Sequence, residues 1–218
     1  MNYFYLLSEL KKTHLTLFTL RDIENLFPHE NLKTIKNNLV RWVKEGRFIK
    51  LKRDVYEFVE PGLERSLLDL YVANRLYSPS YISLETALSL YELIPDIAVQ
   101  VTSLTTRPTR TFKNKYGTFF YRSCQKKAFT GYQLMTYSGE KILIADPEKA
   151  LVDFIYFRTR QDSFLNFKEE RLNILALQKL KWTKVHWYAE LFNDKTKRTL
   201  KSLKEWTNVK HGLPVRRG

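Results

Sequence analysis

Between Asn31 and Arg53 the chain sets eight basic side chains against a single acid, Glu45. The bases are Lys33, Lys36, Arg41, Lys44, Arg47, Lys50, Lys52 and Arg53, a net +7 in 23 residues. The apolar residues inside this patch return at helical spacing, and that pattern constrains the fold. Asn31 is a suitable N-cap for a helix predicted to run to Glu45, closed by Gly46. At 100° per residue, Leu32, Ile35, Leu39, Trp42 and Val43 fall within about 100° of one another, an ordinary buried face. Opposite them lie Lys33, Thr34, Asn37, Arg41 and Lys44.

The flanking elements give this helix a context. A short helical pattern from Asn2 to Lys12 places Phe4, Leu7 and Leu10 at helical spacing. Thr19 then caps a second helix, with Asp22 at its third position and Pro28 as its stop. Beyond Gly46, Phe48–Leu51 and Val55–Val59 read as strands joined through Lys52, Arg53 and Asp54. Aspartate tolerates the left-handed conformation that such a turn requires. Three helices and a two-stranded wing, in that order, predict a winged helix-turn-helix over residues 1–60. In a helix-turn-helix the polar face of the second element enters the major groove. Taken alone, the third helix reads equally as a solvated amphipathic helix. The capped helix before it and the basic wing after it favour DNA binding. The predicted DNA-binding residues are Lys33, Thr34, Lys36, Asn37, Arg41, Lys44, Lys50, Lys52 and Arg53.

Composition agrees with a nucleic-acid partner. Lys and Arg total 37 against 23 Asp and Glu in 218 residues, a net +14. Such a balance suits nucleic acid, an anionic membrane surface or an acidic protein. Glycine and proline number only seven each, which argues against Gly-rich phosphate loops and long flexible linkers. The lone Cys124 excludes an internal disulfide or a multi-cysteine zinc site. No apolar run approaches the ~20 residues of a membrane span. The start, Met1–Lys12, has no basic leader and carries Glu9. These features predict a cytoplasmic protein with no membrane partner.

Glu60-Pro61-Gly62 is the clearest boundary. A helix is predicted over Leu63–Tyr77, and another capped by Ser83 runs through Tyr91. Strands follow over Val99–Thr105, Thr118–Tyr121, Tyr132–Tyr137 and Glu140–Ala145, with Ser138-Gly139 turning the last hairpin. The basic stretch Thr106–Lys115 is expected as a surface loop, with phosphate contact as the alternative. A helix opens at Asp146-Pro147-Glu148 and runs through Phe157. Three more amphipathic helices are expected over Lys168–Lys179, Val185–Phe192 and Lys195–Trp206, before a basic tail over Lys210–Gly218. The fold class is α+β: a winged helix-turn-helix over 1–60, a mixed α/β domain over 63–160, and a helical extension over 161–218.

Nothing in the chain asks for an enzyme, a metal or a cofactor. Asp146, Glu148 and Asp153 are the best metal candidates, but Asp146 occupies an N-cap position and Pro147 the first helical turn. Asp153 is seven residues on, roughly 10 Å along the axis. The four histidines, His14, His29, His186 and His211, lack metal-ligand spacing. Cys124 has no nucleophile signature and is expected as a half-buried strand residue.

Three segments carry a family resemblance: Pro79-Ser80-Tyr81-Ile82-Ser83-Leu84-Glu85-Thr86-Ala87-Leu88, Phe129-Thr130-Gly131, and Asp146-Pro147-Glu148-Lys149-Ala150-Leu151-Val152-Asp153. In this order, behind a winged helix-turn-helix, they resemble the abortive-infection E-type antitoxins of type IV toxin–antitoxin systems. The wing, Arg53-Asp54-Val55-Tyr56, is similar to that family's but has Asp54 where glycine is common. The resemblance covers about residues 15–160. It implies an antitoxin that represses its own promoter, with double-stranded DNA as partner, and counters a nucleotidyltransferase-type toxin without requiring a stable complex. Such systems act in phage defence. Two other readings stay open: a winged-helix transcriptional regulator whose second domain binds a ligand or dimerises, and a nucleic-acid-processing enzyme.

Overall fold

A computed structural model describes residues 2–13, 15–59, 67–96, 98–161 and 165–209. The boundary at Pro61-Gly62, residues His14 and His211, and the basic tail lie outside the described residues. The architecture is α+β with a helical C-terminal region. Its contacts form two units, residues 1–68 with 114–116 and residues 69–113 with 117–218.

The first unit runs α1 (Tyr3–Lys12), β1 (Leu17–Thr19), α2 (Leu20–Leu26), α3 (Leu32–Lys44), β2 (Phe48–Lys52) and β3 (Val55–Phe58). Local chemistry sets most of these limits. Asn2 caps α1 by accepting the Tyr5 N–H at 2.8 Å. Thr19 and Asp22 form a reciprocal capping box at the start of α2. Asn31 accepts the Lys33 N–H at 2.8 Å, and Gly46 follows α3 with a φ of +72° that a side chain would strain. Asp54 adopts the left-handed conformation expected of it, at φ +61°. β1 is the unanticipated element: it pairs antiparallel with β3, giving a sheet of order β1-β3-β2. The core gathers Leu6, Leu10, Phe18, Ile23, Ile35, Leu39, Trp42 and Phe48, with Trp42 and Phe18 edge-on to Phe48 at 5.9 and 5.2 Å.

The second unit is built on six strands in the order β6-β7-β5-β4-β9-β8. After α4 (Asp69–Leu76) come β4 (Ser80–Ile82), α5 (Leu84–Leu90), β5 (Val101–Thr105), β6 (Arg110–Asn114), β7 (Gly117–Ser123), β8 (Tyr132–Tyr137) and β9 (Glu140–Ala145). Then follow α6 (Pro147–Gln161), α7 (Ile174–Gln178), α8 (Trp182–Ala189) and α9 (Asp194–Val209). β4 sits centrally, antiparallel to β5 and parallel to β9, while β8 and β9 form the expected hairpin. Its turn has φ +46° at Ser138 and +83° at Gly139, the double left-handed turn that suits strand twist. Helix α4 packs on β4, β5 and β9, and α6 packs on α5, α8 and α9.

Several sequence expectations need correction. The stretch 106–115 is not simply a loop, because Arg110–Asn114 forms β6 beside β7. The helix expected over Lys168–Lys179 is only α7, since Asn173 caps it while its own N–H donates to the Leu93 carbonyl at 2.9 Å. The helix expected from Leu63 is described only over Asp69–Leu76. Among the described residues, no helix is long and apolar enough to cross a membrane.

Candidate nucleic-acid interface

In the first unit, α3 is fastened by one narrow face. Ile35, Leu39 and Trp42 are buried and span about 60° at 100° per residue. Val43 is half-buried, and Leu32, expected inside, is 41% exposed. The buried arc is therefore tighter than the apolar pattern predicts, and more of the helix faces solvent. Lys33, Thr34, Lys36, Asn37, Arg41 and Lys44 are all exposed. On the hairpin, Lys50 and Arg53 are exposed and Lys52 is half-buried. The register shift between Lys50 and Lys52 is a bulge that interrupts the strand's alternation.

The charges on this face differ in how far they are already satisfied. Arg41 donates to Asn38 Oδ1 at 3.2 Å and lies 3.8 Å from Glu45. Arg47 pairs with Glu45 at 2.8 Å and stacks over the Tyr3 ring at 4.3 Å. Arg53 lies 3.6 Å from Asp54 but is 91% exposed. Among the described residues, Lys33, Lys36, Lys44 and Lys50 have no carboxylate in ion-pair range, so Glu45 and Asp54 answer only the arginines. Such a surface suits an extended polyanion.

One residue of this face escaped the sequence reading. Val40 is 53% exposed, among Lys33, Lys36, Asn37 and Lys44 on consecutive turns. Its signal was present: it lies outside the Leu32–Val43 arc, an apolar residue on the charged side.

The second unit draws the three resembling segments together at one buried point. Lys149 and Asp153, both fully buried on α6, form an ion pair. Lys149 Nζ also donates to the Tyr81 hydroxyl at 3.0 Å. Asp153 Oδ2 accepts from Ser83 Oγ at 2.9 Å and from Tyr81 at 3.2 Å. Ser83 thus spends its hydroxyl on Asp153 and not on capping α5. Burial pushes the Asp153 carboxyl above the usual carboxylate range, with the Lys149 ammonium opposing it. Tyr81 stacks on Tyr132 at 4.7 Å and leans on Phe129 at 5.1 Å.

Asp146 is the N-cap that its position implied: Oδ1 accepts the Lys149 N–H at 2.9 Å. Its other oxygen accepts from the Tyr188 hydroxyl at 2.5 Å and lies 2.9 Å from Lys184 Nζ. Burial, and then this acceptor, raise the Tyr188 hydroxyl, which keeps its proton as a donor. Glu148 accepts the Lys181 N–H at 3.0 Å. Lys184 is shared by Asp146 and by Glu148, 3.7 Å away, whereas Asp153 is paired with Lys149. Among the described residues, no three His, Cys, Asp or Glu side chains converge to hold a metal. A comparison with protein-family models finds no match, and a comparison with curated proteins finds none.

Cys124 is buried immediately after β7, not half-buried within a strand. Burial pushes its thiol up to about 11 from 9.0, with Asp153 contributing. That rise leaves about 100-fold less thiolate at neutral pH. Alkylation by iodoacetamide is expected to be at least that much slower in the native protein than in urea. Equal rates would show that the thiol is open to reagent.

Proposed function

We propose that this chain is a cytoplasmic antitoxin that represses its own promoter through the first unit and counters a nucleotidyltransferase-type toxin through the second. The observation that carries the DNA-binding half is the exposed face of α3. It presents Lys33, Thr34, Lys36, Asn37, Arg41 and Lys44 while Ile35, Leu39 and Trp42 fasten the opposite side. The element order, with a β2–β3 hairpin after α3, supports reading this unit as a winged helix-turn-helix. In that reading α3 enters the major groove and Lys50, Lys52 and Arg53 hold the flanking phosphates. Asn37 can pair bidentately with adenine, and the exposed Val40 suits the thymine methyl beside it. The antitoxin half rests on the resemblance of three segments, supported by their meeting around Tyr81, Ser83, Lys149 and Asp153.

The test is a salt titration of full-length protein on its promoter and on scrambled DNA. Asn37→Ala should lose about 1–3 kcal/mol on the promoter and almost nothing on scrambled DNA. Lys44→Ala should weaken both alike and reduce the salt slope by about 1. Both side chains are exposed, so melting temperatures should stay at the parent's. In cells, Asn37→Ala should release the promoter yet still rescue growth from the toxin. Parental binding by both variants would remove α3 as the reader, and failure of the parent to rescue would remove the antitoxin role.

A further inference from the structure

Two of the open concavities in the second unit differ in electrostatic character. One, of about 440 Å3, includes Arg158 and Arg171, but each arginine is answered: Arg158 by Glu170 at 3.2 Å and Arg171 by Asp96. Glu85 and Glu169 line it as well, so acids outnumber bases there. The other, of about 830 Å3, opens beside the end of β7 and the second half of α6. Through Gln125, Tyr156 and Asn193 it continues into a recess of about 190 Å3 that adds Lys127 and Phe192. Among the described residues, no aspartate or glutamate lines either part.

The cationic groups of this cleft are Arg122, Arg160 and Lys127. Among the described residues, neither arginine has an ion-pair partner. Both instead lie over aromatic rings. Arg122 lies 5.0 Å from the Phe120 ring centre and 5.2 Å from that of Phe157, and Arg160 lies 5.7 Å from Tyr156. A guanidinium over a ring and without an ion-pair partner keeps its planar fork of N–H donors, which matches phosphate oxygens in pairs. Two such forks in one concavity, with no carboxylate among its described lining residues, favour a bound anion. The recess offers a different surface. Tyr156 and Phe192 are half-buried there with ring centres 4.6 Å apart, beside the amide of Gln125. Phosphate donors next to an aromatic platform with an amide at its rim form a combination that suits a nucleotide.

We propose that this cleft binds a nucleotide unit, its phosphate on Arg122 and Arg160 and its base against Tyr156 and Phe192. The ligand is either a free nucleotide or an unpaired nucleotide of an RNA strand, which share this chemistry. The assignment is independent of the DNA-binding reading, because none of these residues belongs to the first unit. Titration calorimetry on the full chain with ATP, inorganic phosphate and a single-stranded adenylate pentamer tests it. Saturable binding of ATP or the pentamer is expected, and Arg122→Ala and Arg160→Ala should each weaken it at least tenfold. Arg122→Lys keeps the charge but loses the fork, and should fall between. Arg171→Ala, in the acidic concavity, should bind like the parent. A pentamer that binds more tightly than ATP identifies RNA as the source, and equal or weaker binding identifies the free nucleotide. Three results would each overturn the assignment: no saturable binding of either probe, inorganic phosphate binding as tightly as ATP, or unchanged affinity in the folded arginine variants.

Discussion

Lys149→Met should cost the second unit about 3–5 kcal/mol, read as a lower denaturation midpoint at unchanged slope. The substitution nearly conserves volume, so packing loss is a small part of that figure. The large part is the stranded Asp153 carboxylate, which is fully buried and left with only the Ser83 and Tyr81 hydroxyls. The pH dependence separates this cause from a packing defect. Burial already raises Asp153 above 3.8, and the Lys149 charge is what opposes the rise. Without it the folded-state value climbs further, and the folded state holds more protons than the unfolded chain above the ordinary carboxylate range. Stability then falls as pH rises through that window. The variant should therefore lose more, relative to the parent, at neutral pH than in mild acid. Lys149→Met combined with Asp153→Leu should recover most of the loss, since an apolar pair needs no counter-charge. A residual deficit of about 1–3 kcal/mol should remain, because Tyr81 and Ser83 lose their acceptor. A pH-independent loss in the single variant, with no recovery in the double, would mean that the two charges do not interact as described.

The buried pair also marks where sequence reasoning stops. Elements whose limits are written by neighbouring residues were legible: the Thr19–Asp22 box, the Asn31 cap with Gly46, the Asp54 turn and the Ser138-Gly139 hairpin all formed as read. Elements created by distant partners were not. β1 and β4 have three residues each and hold together only through β3, or through β5 and β9. Residues 168–173 carry helical spacing, yet Asn173 is pulled to the loop after α5, where its side chain donates to the Glu92 carbonyl at 3.0 Å. At the candidate interface, exposure of Lys33, Asn37 and Lys44 followed from helical periodicity alone. The exposure of Leu32 did not, because it depends on how narrow a surface the core of the first unit offers α3. For α6, the Asp146 cap was local and legible. The 149–153 pair had the four-residue spacing of a helical ion pair, but spacing cannot tell a surface pair from one sealed under β4 and α5.

Gly131→Ala should destabilise the second unit by about 2–5 kcal/mol, although it adds a single methyl group. Two effects combine. Gly131 has φ +75°, where an L side chain costs about 1–2 kcal/mol. A Cβ there would also stand 2.6 Å from the Cε1 and Cζ atoms of Tyr188 and 2.7 Å from its hydroxyl. Overpacking of that kind costs typically about 1–3 kcal/mol. The ring cannot swing away freely, because its hydroxyl is tied to Asp146 and Tyr188 is buried. Gly131 itself accepts the Asp146 N–H at 2.9 Å, so displacing either neighbour disturbs the cap of α6. Gly139 supplies the control. It has φ +83°, and a methyl group there would meet nothing within 4 Å, so Gly139→Ala carries the backbone cost alone. Tyr188→Leu in the Gly131→Ala background should relieve the clash, leaving the double variant more stable than the sum of the two single losses predicts. Equal costs at Gly131 and Gly139, with additive behaviour in the double variant, would show that Tyr188 does not press on that loop. A larger cost at Gly131 would tie the Phe129-Thr130-Gly131 segment to the start of α6 through one phenol ring.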